Sequence, residues 1–464
     1  MIVYKKFKMS NIPLFNEFSA VSAKEWKQKI QYDLKGADYN ETLVWESPEG
    51  IKVKPFYHSD DAVSTPKNLT SKSIWKVGQF IYAGNATLAN EKAIKALNRG
   101  VEGLLFMIPS DEIDISKLLK NIAVNSIPVY LNMEFLSQTY IQSIFNFVGN
   151  NNEHVFLNID IIGNLSKTGN WFSNLEKDIS TQENICSGEF KNVLSVDSSL
   201  YQNAGADMVQ QLAYSLAHAN EYLNLFSNKD KQAFNITFKV SVGTNYFFEI
   251  AKIRALRLLW KTVAAEYNVA TDCHILVTPS KRNKTLYDYN TNMLRTTTEC
   301  MVAVLGGADT IVNLPYDAIY HKDNEFGERI AINQLLLLKN ESYFDKVVNP
   351  ADGAYYIESI TNQLAEKALL LFKSIEKSGG FLKQLKENTI QRKIQESADK
   401  ETLRFKEGRE VLVGTNKYIN ENDLMKDSLE LYPFLKTKAR KTLIRPILEK
   451  RLAEDVEQKR LNDE

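Results

Sequence analysis

From Ile74 onward the chain repeats one unit, a short apolar β-branched run followed by a longer stretch of helical periodicity. The runs are Trp75–Ile81, Val101–Ile108, Pro128–Leu131, Val155–Ile159, Val193–Val196, Phe238–Val242, His274–Thr278 and Thr310–Asn313. Unbroken apolar runs of this length suit strands buried on both faces, and intervening helices leave neighbouring strands parallel. The clearest helical stretch is Tyr246–Trp260, where Phe248, Ala251, Ala255, Leu258 and Leu259 recur on one face. Eight such units in succession predict a closed (β/α)8 barrel. A doubly wound open sheet is the alternative, but no glycine-rich nucleotide loop follows any of the runs.

This pattern divides the chain into an N-terminal arm (1–70), the barrel (71–345) and C-terminal helices with a linker (346–464). In the arm, a helix is expected over Ser22–Leu34, then a turn at Gly36. Two short strands are expected about the Ser47–Gly50 turn, and a polar linker over Ser59–Ser71. After the last strand run, helices are expected over Phe326–Lys339, Glu358–Lys377 and Phe381–Arg404, with a turn at Val347–Gly353 and a helix at the terminus. Met1–Lys8 is basic with no apolar segment behind it, which argues against a signal peptide. Met9 offers a second start that would make residues 1–8 a non-native extension.

Charge and cysteine usage exclude several function classes. Lys+Arg and Asp+Glu are both 57, so no broad field draws the chain to nucleic acid or to an anionic membrane. No apolar stretch approaches the ~20 residues of a spanning helix. Cys186, Cys273 and Cys300 are too few for a disulfide framework and fit a cytoplasmic location. The five histidines have no metal-ligand spacing. The basic stretch Lys436–Arg445 lacks interleaved aromatics and reads as a charged linker helix packing on a partner rather than a nucleic-acid patch. Lys281–Lys284 follows a barrel strand, the face where active sites sit, and could attract phosphate; a solvated loop is the expectation. Asp309, Asp317, Asp323 and Glu325 contain no pair that must converge, so solvated carboxylates are expected rather than hydrolase chemistry.

Several longer runs carry a family resemblance. They are Asn245–Trp260 (NYFFEIAKIRALRLLW), Asn292–Thr298 (NMLRTTT), Ala303–Ala308 (AVLGGA), Asn349–Glu358 (NPADGAYYIE) and Thr361–Glu366 (TNQLAE). Upstream, Trp45–Ile51 (WESPEGI) with Lys54 and Pro55 belongs to the same set. Together, over about residues 22–450, they resemble the methylmalonyl-CoA mutase family. The resemblance implies a (β/α)8 barrel and a radical rearrangement of an acyl-CoA on adenosylcobalamin, in which the cofactor supplies the radical and the protein supplies orientation and hydrogen bonds. Physically these runs are mostly scaffold, so the activity has to be argued from the site.

At the site the chain departs from the family. The family's R-P-W-T-I-R-Q-Y is Ser73–Phe80 here (SIWKVGQF). Both arginines are gone and the tyrosine has become Phe80; Gln79 is retained. The family's G-Y-H, two residues, E-A-G-A is Ser198–Ala206 (SSLYQNAGA), with Leu200 at the histidine position. Its R-T-H-S-Q-T-S-G is His274–Lys281 (HILVTPSK), with only Ser280 kept. The D-x-H-x-x-G cobalt-ligating signature has one near match, Asp272 to His274, which lacks the glycine. A strand-start histidine is the expectation there.

The resemblance therefore implies a non-catalytic small (beta) subunit, with adenosylcobalamin and the chemistry on a large (alpha) partner and no catalytic, cofactor-binding or metal residue on this chain. Phe80, Leu200 and His274 are the degenerate positions, and Gln79, Ser280 and Lys281 the vestigial candidates for acyl-CoA contact. An active acyl-CoA mutase barrel that borrows cobalamin from a separate chain is the alternative.

Overall fold

The computed structural model describes residues 15–61, 74–226, 235–436 and 439–464. Residues 1–8 and the greater part of the expected linker Ser59–Ser71 lie outside the described residues. The chain divides into two compact units, Met1–Ser64 and Thr65–Glu464.

In the first unit, Ser22 caps the helix Ala23–Asp33 through a reciprocal capping box. Glu25 N–H donates to Ser22 Oγ at 3.2 Å and Ser22 N–H donates to Glu25 Oε2 at 2.8 Å. Gly36, at φ +99, makes the expected turn. Strands β1 (Trp45–Glu46) and β2 (Lys52–Val53) pair antiparallel about the Ser47–Gly50 turn. The helix buries none of its residues. Phe15, Phe18, Trp26 and Tyr32 are all more than half exposed.

In the second unit every expected run is a strand: β3 (Lys76–Tyr82), β4 (Gly103–Ile108), β5 (Val129–Met133), β6 (Val155–Ile159), β7 (Asn192–Asp197), β8 (Ile236–Val242), β9 (His274–Pro279) and β10 (Thr310–Val312). All pairings are parallel, and β10 closes the barrel on β3 with Val312 opposite Gly78. Alternate residues face the lumen. Leu105, Tyr130, Phe156, Leu276 and Val312 meet there as a buried cluster.

The C-terminal region differs from expectation in two places. The helix expected over Phe381–Arg404 is two helices, Phe381–Lys386 and Thr389–Lys406, because Asn388 takes a left-handed φ of +61 between them. The basic stretch Lys436–Arg445 is not a helix in its described residues, which instead run extended against the chain's own barrel unit. Arg440 donates to Thr168 O at 2.7 Å, and Leu443 N–H to Gly169 O at 2.9 Å. The strap continues with Ile447 N–H to Ser166 O (2.8 Å), Lys450 N–H to Asn203 O (3.1 Å) and Leu452 N–H to Arg282 O (2.8 Å). These backbone donors are satisfied by carbonyls of short helices and loops of the barrel unit, Ser166 and Asn203 lying in helices Ile161–Thr168 and Ser199–Asn203.

Two of the sequence runs quoted above are joined by one buried ion cluster. Arg254, in helix Tyr246–Glu266, is 1% exposed. Its guanidinium pairs with Asp352 and, at 2.7 Å, with Glu358. Glu358 also accepts from Gly353 N–H at 3.0 Å, where a φ of +81 favours glycine. Removing one member of such a cluster strands the others. Arg254→Met should therefore cost about 3–5 kcal/mol in urea unfolding. The triple variant that also carries Asp352→Asn and Glu358→Gln should recover part of that loss. A cost below about 1 kcal/mol for the single change would mean that the cluster does not hold these segments together.

Candidate functional site

The carboxyl end of the barrel holds a cavity of ≈ 280 Å³ between β4 and β8. Met107, Met133, Phe135, Leu136, Ile159, Phe172 and Leu200 make its apolar wall; Asn132, Asn158, Asp160, Asp197 and Lys239 are among its polar groups.

Asp160 organises one side. It follows β6 directly and caps the helix Ile161–Thr168, accepting from Gly163 N–H at 2.7 Å. A Cβ at position 163 would lie 2.2 Å from Asp160 Oδ2, so only glycine fits. The same carboxylate accepts from Tyr222 Oη (2.6 Å), His218 Nε2 (2.9 Å) and Asp197 N–H (2.8 Å). Tyr201 Oη lies 2.9 Å from His218 Nδ1, completing a buried tyrosine–histidine–aspartate chain. Burial alone would raise the Asp160 carboxyl, but the His218 imidazole and these donors outweigh it and hold it below the usual range.

Lys239 and Asp197 face each other on neighbouring strands, with Nζ 2.5 Å from Oδ2. Ser199 Oγ donates to the other Asp197 oxygen. Burial opposes ionisation of Asp197, but Lys239 overrides it and keeps the carboxyl below its ordinary range. Asn158 sits where the β6 register shifts, at φ +47, and its amide donates to Asn132 Oδ1 at 2.8 Å. A bulge at this point re-aims a side chain.

The residues singled out from sequence do not converge. Leu200 lines the cavity and is buried. Phe80 pairs in register with Leu105 and is 36% exposed. Gln79, its neighbour on the strand, takes the opposite face and borders a groove with Lys92, Arg99 and Glu328 outside the barrel. His274 opens β9, as the strand-start reading expected, and so lies at the amino end of the barrel. Its Nε2 is 2.6 Å from Tyr130 Oη, and its ring lies 4.4 Å from Phe156.

Ser280 Oγ donates to Asn203 Oδ1 at 3.0 Å, and Lys281 is exposed. The rest of the Lys281–Lys284 stretch is not a solvated loop: Arg282 pairs with Glu401 at 2.6 Å, and Lys284, 1% exposed, pairs with Glu299 at 2.8 Å. Nor are all four acidic residues near β10 solvated. Asp309 pairs with Arg257 at 2.7 Å, and buried Asp317 accepts from Asn324 at 2.7 Å. Asp323 and Glu325 are exposed, as expected. The cavity groups went unremarked in the sequence. Their signals were a lysine inside the apolar run Ile236–Val242 and an aspartate placed where a strand gives way to a helix.

Eight parallel strands closed on themselves, with a polar cavity at their carboxyl ends, define a (β/α)8 barrel protein. The family model for methylmalonyl-CoA mutase matches residues 108–462, and the chain belongs to that family. It is 34% identical over 455 residues to the methylmalonyl-CoA mutase small subunit of Porphyromonas gingivalis, covering 90% of this chain and 73% of that one. The small subunit of Streptomyces virginiae is 26% identical, with 88% and 72% covered. The methylmalonyl-CoA mutase of Rhizobium meliloti is 28% identical over 88% of this chain, which spans 65% of that protein's length.

Burial lowers the His274 pKa below its ordinary 6.5; Asp309 opposes the shift in part and Arg257 adds to it. The folded protein thus holds a neutral imidazole that the unfolded chain would protonate more readily. The resulting stability is complete above pH 6.5 and is lost as pH falls from there toward the folded value. His274→Gln should flatten the stability profile below pH 6.5, where each unmatched proton changes the slope by up to about 1.4 kcal/mol per pH unit. Parallel profiles for the two proteins would contradict the assignment.

Proposed function

We propose that this chain is the small, non-catalytic subunit of a cytoplasmic methylmalonyl-CoA mutase. It stabilises a large subunit on which methylmalonyl-CoA and succinyl-CoA are interconverted. The observation that carries the reading is the content of the barrel mouth. Leu200, in the cavity wall, is the residue that the family resemblance aligns with the thioester-polarising imidazole, and Phe80, on β3 outside that lining, is the one it aligns with the tyrosine of the radical centre. Neither residue can donate a hydrogen bond. The similarity to two chains named as small subunits supports the same reading.

Adenosylcobalamin belongs to the partner in this proposal. The near match to the cobalt-ligating signature does not fit the group: His274 is wedged between Phe156 and Tyr130, with Nε2 engaged by a phenol. The unit Met1–Ser64 supplies the surface for the large subunit. Its helix Ala23–Asp33 buries nothing, and Phe15, Phe18, Trp26 and Tyr32 are each more than half exposed, which supports a partner surface there.

The direct test is adenosylcobalamin-dependent conversion of methylmalonyl-CoA, measured with this chain alone, with its purified large partner, and with a free cobalamin-binding protein. Turnover is expected only with the large partner. Turnover with the free cobalamin protein would make this chain the catalyst and sink the proposal. Phe80→Tyr should gain no turnover in any arm; a gain would place the reacting atoms in this barrel.

A further inference from the structure

The unit Met1–Ser64 has secondary structure but almost no interior. Among its 47 described residues, 15–61, only Tyr39, Ser47 and Ile51 are buried, so burial withdraws two apolar side chains from water there. Fixing the backbone of one residue costs about as much as burying one such side chain gains. Two of them do not offset the ordering of the whole segment. The elements do not make up the difference. Helix Ala23–Asp33 has 11 residues and buries none, and an isolated helix shorter than about 12–15 residues is marginal in water. The hairpin pairs only Trp45 with Val53 and Glu46 with Lys52, and a lone two-stranded ribbon is marginal too. The contacts that join these elements lie at the surface. Ala23 N–H donates to Asp60 Oδ2 at 2.9 Å, the Trp26 and Phe56 rings are 5.8 Å apart, and Lys54 pairs with Asp61 at 2.6 Å. Such contacts select a shape but contribute little to holding it.

Local signals specify that shape all the same. The capping box at Ser22 starts the helix, and Asp38 accepts from Asn40 N–H at 2.7 Å and Glu41 N–H at 2.9 Å to start the next one. Gly36 and Gly50 hold φ of +99 and +69 at the turns. Phe15, Phe18, Trp26, Tyr32 and Trp45, between 49% and 78% exposed, are the apolar material of a core that these residues do not close among themselves. Strong local signals without a core describe a segment that folds when another surface completes it. We propose that residues 15–61 are unfolded in the free chain and fold only on the large subunit, with those five aromatic side chains as the anchors. This rests on the small-subunit reading above and adds that assembly is a folding step. Affinity is then set in part by how readily the arm folds, and not by its contacts alone.

Hydrogen exchange read by mass spectrometry tests this on the full chain, alone and with its purified large partner. Alone, the amides of 23–33 and 45–53 should exchange within about tenfold of an unstructured peptide while the barrel strands stay protected. In the complex the same amides should slow by about a hundredfold or more. Two variants read the coupling as affinity. Ser22→Ala removes the helix cap, and Gly36→Ala places a Cβ on a left-handed residue where it meets nothing within 4 Å. Each should weaken association with the large partner about fivefold, the scale of a lost cap or a strained φ, and leave thermal unfolding of the free chain unchanged. An arm already folded in the free chain would keep its shape through either change and bind with unaltered affinity. Protection of 23–33 in the free chain, or unaltered affinity in both variants, would overturn the proposal and leave the subunit assignment standing. Protection that appears only as the free chain self-associates would overturn it in favour of a second copy as the template. Fast exchange persisting in a complex that turns over would overturn it as well. Failure to form any complex would overturn the subunit assignment, and this proposal with it.

Discussion

Closure of the barrel rests on the approach of β10 to β3. Val312 stands opposite Gly78, and a Cβ at position 78 would come within 2.6 Å of Val312 Cγ2. Glycine at that position lets the shortest strand of the sheet lie against the first. With that pairing made, neither strand is left with an open edge, so the structure has no free row of backbone donors there to attract other chains. The lumen cluster of Leu105, Tyr130, Phe156, Leu276 and Val312 draws on strands from both sides of the seam, so it is complete only in the closed form.

The architecture was legible because burial on two faces writes itself as unbroken apolar runs. All eight runs from Trp75 to Asn313 became barrel strands, in chain order around the barrel. Turn chemistry was equally readable: the arm turns at Gly36, at φ +99, and its two short strands pair about Ser47–Gly50. What failed were inferences from charge. Lys281–Lys284 looks like a solvated loop in one dimension, yet Arg282 is buried against Glu401, more than a hundred residues on, and Lys284 against Glu299, while 436–445, expected as a helix on a partner, runs extended along its own barrel unit in its described residues. Long-range pairing carries no periodicity, so no local window reveals it. The break at Asn388 was hidden for a different reason, since a single left-handed residue interrupts a helical pattern without altering its composition.

The candidate site was legible in part. The family resemblance points to losses at Phe80 and Leu200, but it says only what would be missing. It said nothing of Lys239, Asp197 or Asn158, which the barrel register brings together from three strands. His274 is the converse case: a residue of suggestive type that opens a strand, as expected, and belongs to the packing at the amino end. Register separates these cases, because side chains on one strand alternate faces while position along the strand sets depth in the barrel.

The strap formed by residues 443–452 has a bearing on how the molecule is made. Its backbone donors engage Ser166, Gly169, Asn203 and Arg282, carbonyls that precede it by well over a hundred residues. During synthesis the barrel strands can emerge and close before the strap exists, since a ribosome adds only about 5–20 residues each second. For that interval the loops at the carboxyl end have a finished barrel beneath them and nothing above. The mouth is thus the last part of this unit to acquire its final shape, and a nascent chain paused before residue 443 would present it unlatched.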